Sequence, residues 1–296
     1  MSSIPPIPNV TVALLAHDEP ELGAILCEKM LRAGAARVVL FDGTGTGLNA
    51  LRILELIPVE LAGGVAFSGW SEALSWGNLL PFVAAAITFA RQACVSSLML
   101  ADSDFVPVRR DAFNVIGRTV AALEAQHSDK AVIISAWSAC VHIQKGYLGA
   151  SESYPSRCFM NSALLGLNPL ADHLRRRGWS GEWAVGTFNP GTVFNRRAIE
   201  ICYELLQEVS MAEIRNLDTE VVFAAEEVFL QTALDLAGCV FHSPVCMRGV
   251  RWRPAWRPQD LVASDMIFVH PVPRLPTQPI WQTPHPVWQK FHEAKN

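Results

Sequence analysis

Two carboxylates one residue apart, Asp102 and Asp104, follow directly after a short apolar run at 98–101. An apolar run bounded by polar residues predicts a strand buried on both faces of a parallel sheet. Ligands of such sheets bind just beyond the carboxyl ends of the strands. Carboxylate oxygens at that place suit a divalent cation that neutralises a leaving diphosphate. Capping of the next helix is the alternative interpretation, because Asp is also a good N-cap.

Polar residues also follow the first two predicted strands. The strand at 10–16 ends at His17, and the strand at 37–41 ends at Asp42 and Gly43. Parallel strands share one ligand edge, so we expect these residues to line a nucleotide together with Asp104. The glycines in GTGTGLN, which follow the second strand, have neither the spacing nor the position of a dinucleotide fingerprint. We therefore expect a flexible loop there and no NAD site.

A second acidic pair, Glu226 and Glu227, lies in the first turn of a helix predicted over 224–236. Acidic residues at a helix N-terminus complement the helix dipole, which is sufficient reason for the pair. A carboxylate there that faces a cleft is equally suited to act as a general base. Successive helical residues point about 100° apart, so only one of the two can face the cleft.

The C-terminal part combines basic and aromatic residues before a last predicted strand at 266–269, which ends at His270. The basic group consists of Arg248, Arg251, Arg253 and Arg257, interleaved with Trp252 and Trp256. Arginine can grip phosphate oxygens with two hydrogen bonds, and tryptophan can stack on a base or a sugar. A solvated basic face is the competing interpretation.

Composition excludes several classes of protein. The formal net charge of −4 argues against a general binder of nucleic-acid backbones. Seven scattered cysteines indicate free thiols in a reducing compartment. The Pro-rich N-terminus has no signal-peptide pattern, and the most apolar window, 79–101, contains Pro81, Arg91 and Gln92. We expect a cytoplasmic protein without a membrane span.

Alternating strand and helix patterns predict one α/β domain, a Rossmann-like αβα sandwich with a mostly parallel central sheet. Half of the 296 residues are hydrophobic, which is enough for a large core. We expect a nucleotide-binding half at about 10–130 and an acceptor-binding and catalytic half at about 137–270. Residues 137–182 show weak periodicity and are predicted to be irregular, with a role in acceptor recognition. The Pro-rich tail, 271–296, should be extended.

Four segments in order resemble a known family. They are VALLAHDEPEL, then SWGNLLPFVAAAITFARQA before SLMLADSDFVPVRRDAF, then GTFNPGTVFNRRAIE, and finally AEEVFLQTAL. Over about residues 10–240 the chain resembles the core-2/I-branching β-1,6-N-acetylglucosaminyltransferase and xylosyltransferase family, which has the A-type glycosyltransferase fold.

The resemblance implies an inverting transferase that moves GlcNAc, xylose or glucose from a UDP-sugar to a hydroxyl acceptor. Glu227 would be the catalytic base, and His17, Asp42 and Gly43 would line the nucleotide. Family members typically keep only the second acidic residue of the first pair and grip the diphosphate with basic residues, for which Arg251 and Arg253 are the candidates here.

This chain departs from that pattern because it has both Asp102 and Asp104, and has His270 where the family has basic residues. In many other A-type transferases a C-terminal histidine joins the second aspartate on Mn²⁺. Carboxylates and an imidazole suit Mn²⁺ or Mg²⁺ on the diphosphate. The family's membrane anchor is also missing, which agrees with the expected location.

Two other functions stay open from the sequence. A nucleotidyltransferase would share the fold and the acidic metal site, but it needs a basic Gly-rich loop after the first strand. The residues there are His17, Asp18 and Glu19. The other alternative is a protein of this fold that binds a sugar nucleotide or a glycan without turnover.

Overall fold

A seven-stranded, mostly parallel sheet forms the centre of the computed structural model. The structure describes residues 9–17, 19–74, 78–142, 170–216, 225–251 and 266–270, with 139–142 as backbone only. The described strands are β1 Val10–Ala16, β2 Arg37–Asp42, β3 Val65–Ser71, β4 Ser97–Ala101, β5 Val106–Pro107, β6 Val132–Ile134, β7 Ser138–His142, β8 Trp183–Thr187, β9 Val193–Asn195, β10 Val240–His242 and β11 Phe268–Val269.

Helices connect most of these strands. The described α-helices are α1 Pro20–Arg32, α2 Leu48–Leu56, α3 Leu80–Gln92, α4 Ala112–Gln126, α5 Ala171–Arg176, α6 Arg196–Gln207, α7 Met211–Arg215 and α8 Ala225–Leu236. Short 3-10 turns lie at Ala62–Gly64 and Val245–Met247.

The strand order of the sheet is β10-β6-β9-β4-β1-β2-β3. The pairs β1 with β2, β1 with β4, β2 with β3, and β6 with β10 are parallel. Strand β9 lies between β4 and β6 and is antiparallel to both. The predicted α/β class with a mostly parallel sheet is confirmed, and β4, the strand before the Asp pair, lies near its middle.

Side chains of the central strands alternate between two hydrophobic layers, as the twofold period of a strand requires. In β1, Ala13 and Leu15 pack on the same side as α3, α6 and α8. Val12 and Leu14 pack on the other side, with α1 and α4. All seven residues of β1 are buried, so the continuous apolar run is that of a strand covered on both faces.

Some expectations about the elements were wrong. The segment 137–182 is not irregular throughout, because it contains β7 and α5. The sequence patterns also missed α2 and β10. The division into two halves stays a prediction, and residues 271–296 lie outside the described part.

Among the described residues, no helix combines the length and the apolar character that crossing a membrane requires.

Candidate functional site

Asp102, Asp104 and His270 form one cluster at the carboxyl edge of the sheet, by which we mean the edge where the parallel strands end. Each of the three offers a ligand atom, and these atoms all lie within 4.8 Å of one another. Nε2 of His270 lies 3.0 Å from Oδ1 of Asp104. The histidine is buried, whereas the two aspartates are partly exposed. The three residues predicted as metal ligands are thus brought together.

Two very short strands, β5 and β11, bring these three residues together. The chain turns after β4, and the Phe105 N–H donates to the Asp102 carbonyl at 3.1 Å. Strand β5 then pairs antiparallel with β11, with Val269 opposite Val106. His270 follows directly after β11 and so comes to lie next to the turn that holds the aspartates.

Aromatic packing fixes the two short strands to the core. The rings of Phe105 and Phe268 stack with centroids 4.8 Å apart, and Phe113 of α4 meets Phe268 edge-on at 5.2 Å. Gly249 lets the chain pass close to β11, because a Cβ there would lie 2.1 Å from the Phe268 carbonyl oxygen. Strands of two residues have little stability of their own, so these contacts determine the position of His270.

A hydrogen bond on the side of the ring away from Asp104 orients His270. Its Nδ1 lies 3.0 Å from the Arg251 carbonyl oxygen, so Nδ1–H donates there and Nε2 faces Asp104. An outer hydrogen bond of this kind is typical of metal-binding histidines. Burial alone would lower the pKa of His270, but the hydrogen bond and charge of Asp104, the charge of Asp102 and the Arg251 carbonyl together raise it.

The residues predicted to line a nucleotide lie at the same edge. Ala16 pairs with Asp42 across β1 and β2, and β1 also pairs with β4. A Cβ on Gly43 would lie 3.1 Å from the Cβ of His17, so these two residues are neighbours. His17 is exposed, as a ligand-lining residue should be. Contact with a nucleotide stays a prediction.

Asp42 has a clear role within the protein. Its side chain is buried, and Oδ1 accepts hydrogen bonds from the Thr44 N–H at 2.8 Å and the Thr44 hydroxyl at 2.5 Å. Oδ2 accepts from the Ala50 N–H at 3.0 Å, inside α2. Both oxygens therefore organise the Gly-rich loop and the helix after it, and we expect Asp42 to act on a nucleotide through the loop.

The second acidic pair is buried at the beginning of α8, with Glu226 2% and Glu227 4% exposed. Oε1 of Glu227 accepts a hydrogen bond of 2.8 Å from the Asn189 N–H, in the loop between β8 and β9. Oε2 of Glu226 accepts one of 3.2 Å from the Leu79 N–H, directly before α3. The carboxyl group of Glu226 is also bonded to its own backbone N–H, so it contacts the beginning of α8 as well as the beginning of α3.

The environment of Glu226 strongly favours its protonated form. Burial raises its pKa well above the usual range, and the charges of Glu227 and, to a smaller extent, Asp102 add to the effect. The action of Asp102 on Glu226 shows that the two acidic pairs lie within electrostatic reach of each other.

Only one of the two arginines predicted to hold the diphosphate lies among the described residues. Arg251 is half-buried beside His270, and its backbone N–H donates to the His270 carbonyl at 3.0 Å. Arg253 lies outside the described residues. The sequence patterns missed Asn189 and Leu79, which contact the glutamates through backbone N–H groups that no residue type reveals.

No protein-family model matches the chain, and no curated protein matches it. The core-2/I-branching resemblance therefore stays a prediction.

Some solved structures show weak similarity to this chain. Glucosyl-3-phosphoglycerate synthase from Mycobacterium tuberculosis, in complex with Mn²⁺, UDP and phosphoglyceric acid, is 12% identical with a TM-score of 0.32; the match covers 68% of this chain and 63% of that one. UDP-glucose pyrophosphorylase with UDP-glucose is 10% identical with a TM-score of 0.30, covering 72% and 87%.

Mannose-1-phosphate geranyltransferase from Thermus thermophilus is 13% identical with a TM-score of 0.34, covering 76% of this chain and 72% of that one. TM-scores this low do not fix a function.

Proposed function

We propose that this protein is a glycosyltransferase that moves a sugar from a UDP-sugar to a hydroxyl acceptor with inversion at the anomeric carbon. The observation that carries the proposal is the meeting of Asp102, Asp104 and His270 at the carboxyl edge of a parallel sheet. Ligands of such sheets bind at this edge. The family resemblance of the sequence is consistent with the proposal.

The donor atoms at this edge fit a divalent cation. Two partly exposed carboxylates and an imidazole are ligands that Mn²⁺ accepts, and Mg²⁺ suits the carboxylates. The Arg251 carbonyl orients His270 so that Nε2 faces the carboxylates. A cation held by Asp102, Asp104 and His270 would supply positive charge for the diphosphate that leaves the sugar.

Nucleotide binding would use the ends of the first two strands. His17 is exposed beside Gly43, and the two residues would line the base or ribose. Asp42 would hold the loop behind them in a fixed shape through its bonds to Thr44 and Ala50. The side chains of Arg251 and Arg253 remain our candidates for further contact with the phosphates.

Glu227 would act as the general base. Its Oε1 is held by the Asn189 N–H, so the carboxylate has a fixed direction. It would take the proton of the acceptor hydroxyl as that oxygen attacks the anomeric carbon from the face opposite the diphosphate. A proton transfer of this kind accelerates a reaction roughly 10²–10⁴-fold.

The test is a UDP-release assay with a panel of UDP-sugars, with and without glycan acceptors, in Mn²⁺, Mg²⁺ or chelator. We expect acceptor-dependent UDP release that requires a divalent cation. Asp104→Asn should remove most of the activity and the stimulation of UDP release by divalent cations. Asp172→Asn, which changes an exposed aspartate on α5, is the matched control.

Pyrophosphate release from UTP and a sugar 1-phosphate would identify a nucleotidyltransferase instead. Tight UDP-sugar binding without turnover with any acceptor would favour the non-catalytic alternative.

A further inference from the structure

Glu226 and Glu227 are adjacent carboxyl groups in a buried place. Ionising both would put two like charges side by side without water, which is costly because burial and like charge each disfavour the charged form. Among the described residues, the charged groups that act on Glu226 are Glu227 and Asp102, both acidic. The surroundings of Glu226 therefore favour its protonated form at neutral pH.

Their hydrogen bonds distinguish the two. Glu227 has the shorter bond, 2.8 Å from the Asn189 N–H, whereas Glu226 accepts from the Leu79 N–H at 3.2 Å and from its own N–H. Hydrogen bonds to a carboxylate stabilise its charged form. At Glu226 burial and like charge outweigh these bonds and raise its pKa well above the usual range, so the charge is better placed on Glu227.

Two buried acceptors near Glu226 require a hydrogen donor. The Asn78 amide nitrogen donates to the Ile214 carbonyl at 2.9 Å, and the Gln231 amide nitrogen donates to the Glu226 carbonyl at 3.3 Å. Their amide oxygens are buried, and neither has a hydrogen-bond partner in the described part of the chain. Asn78 directly precedes Leu79, and Gln231 lies one turn beyond Glu227 on the same helix.

A carboxylate cannot satisfy such oxygens, but a protonated carboxyl group can, because it has an O–H to donate. An unsatisfied buried acceptor costs about 1–3 kcal/mol, so the surroundings favour the acid form of Glu226. The same group accepts the Leu79 hydrogen bond through its other oxygen.

We propose that Glu226 is a positioning residue that works as a neutral carboxylic acid. It ties the beginning of α8 to the beginning of α3 and leaves the single negative charge of the pair on Glu227. The proposal deepens the function proposed above, since it assigns the proton of the pair to one residue and the role of base to the other. The base is thus held by a neighbour that adds no competing charge.

The direct test is infrared difference spectroscopy at neutral pH, which detects the carbonyl stretch of a protonated carboxyl group. We expect this band in the wild-type protein, its loss in Glu226→Gln, and its retention in the matched variant Glu227→Gln. Loss of the band in Glu227→Gln with retention in Glu226→Gln would overturn the proposal, as would a wild-type protein without the band.

If Glu226→Gln fails to fold, carbon NMR of carboxyl-labelled glutamate in the wild-type protein gives the same information. One glutamate carboxyl should show the protonated shift at neutral pH, and that signal should persist in Glu227→Gln. Ionised signals from all the glutamates would refute the proposal. Neither measurement needs turnover, so the outcome is independent of whether sugar transfer is observed.

Kinetics then test the positioning role. Glu226→Ala should lower kcat roughly 10- to 100-fold, the size expected for a displaced catalytic group, with the affinity for UDP unchanged. Glu226→Gln keeps an acceptor for Leu79 and a donor for the buried oxygens, so it should recover most of that loss. It should also leave the acidic limb of the pH–rate profile in place, whereas a shift of that limb to lower pH would show that Glu226 is charged.

Discussion

The two acidic pairs of this protein have the same chemical groups and different surroundings. Asp102 and Asp104 are partly exposed at a strand end and meet an imidazole. Glu226 and Glu227 are buried at a helix start and accept hydrogen bonds from backbone N–H groups of other elements. The first arrangement supports negative charge and suits a cation, whereas the second raises the pKa of Glu226 and suits a proton.

The difference follows from what faces each pair. Both aspartates beside the histidine can stay ionised, because water and a bound cation compensate their negative charges. A buried carboxyl group such as Glu226, whose charged neighbours Glu227 and Asp102 are acidic, retains its proton instead. The neighbours of an acidic pair, more than its residue types, therefore decide which chemistry it can do.

The largest expected effect is that of Glu227→Gln, which keeps the shape of the base and removes its proton acceptor. Sugar transfer should fall roughly 10²–10⁴-fold while calorimetry shows unchanged UDP binding. Normal transfer by this variant, together with loss of transfer in Glu226→Gln, would reverse the roles of the two residues.

His270→Ala should weaken the binding of Mn²⁺ to Asp102 and Asp104. Wild-type protein is expected to gain about 2.7 kcal/mol in unfolding free energy at a Mn²⁺ concentration about 100 times the dissociation constant. The variant should lose most of that gain in a thermal-shift assay. His173→Ala is the matched control, because His173 is also buried but faces Glu213. An equal Mn²⁺ response in both variants would remove His270 from the site.

Gly249→Ala tests whether the position of β11 is what places His270 beside Asp102 and Asp104. The added Cβ would collide with the Phe268 carbonyl oxygen, so we expect a loss of about 1–3 kcal/mol in stability and a weaker Mn²⁺ response. Gly63→Ala is the control, since nothing lies within 4 Å of a Cβ there. Chemical denaturation with and without Mn²⁺ measures both effects.

The smallest expected effect is the pH dependence of stability due to Glu226. Its pKa is raised in the folded protein, so its contribution is fully present below the usual value of 4.5 and is lost as pH rises through the folded value. The variant Glu226→Gln does not lose stability in this way. Its melting temperature should therefore rise relative to that of the wild type as pH increases from about 5 to about 8. A difference that is constant with pH would contradict a proton held by Glu226.

Much of the central sheet was predictable because its strands are continuous apolar runs with polar ends. Strands β1, β2 and β4 lie almost where the sequence patterns placed them. Helix α2 was missed because its start depends on a hydrogen bond from the Ala50 N–H to Asp42 and has no side-chain N-cap of its own. Strands β5 and β11 have two residues each and exist only as a pair.

The candidate site was predictable to a similar degree. Asp102 and Asp104 were found because they end a strand, and His270 because it ends another. The role of Glu226 was not found, because its partner, the Leu79 N–H, lies 147 positions earlier in the sequence and belongs to the backbone. Helix geometry separated Glu226 from Glu227, but only tertiary contacts reveal which neighbour each one meets.

The pairing of β5 with β11 has a consequence for the order of events during synthesis. Asp104 leaves the ribosome long before His270, and at about 5–20 residues per second the interval is roughly 10–30 s. During that time the proposed site has its two carboxylates but lacks the imidazole of His270. The full set of proposed cation ligands therefore comes into being only after β11 is made, which ties capture of the ion to synthesis of that strand.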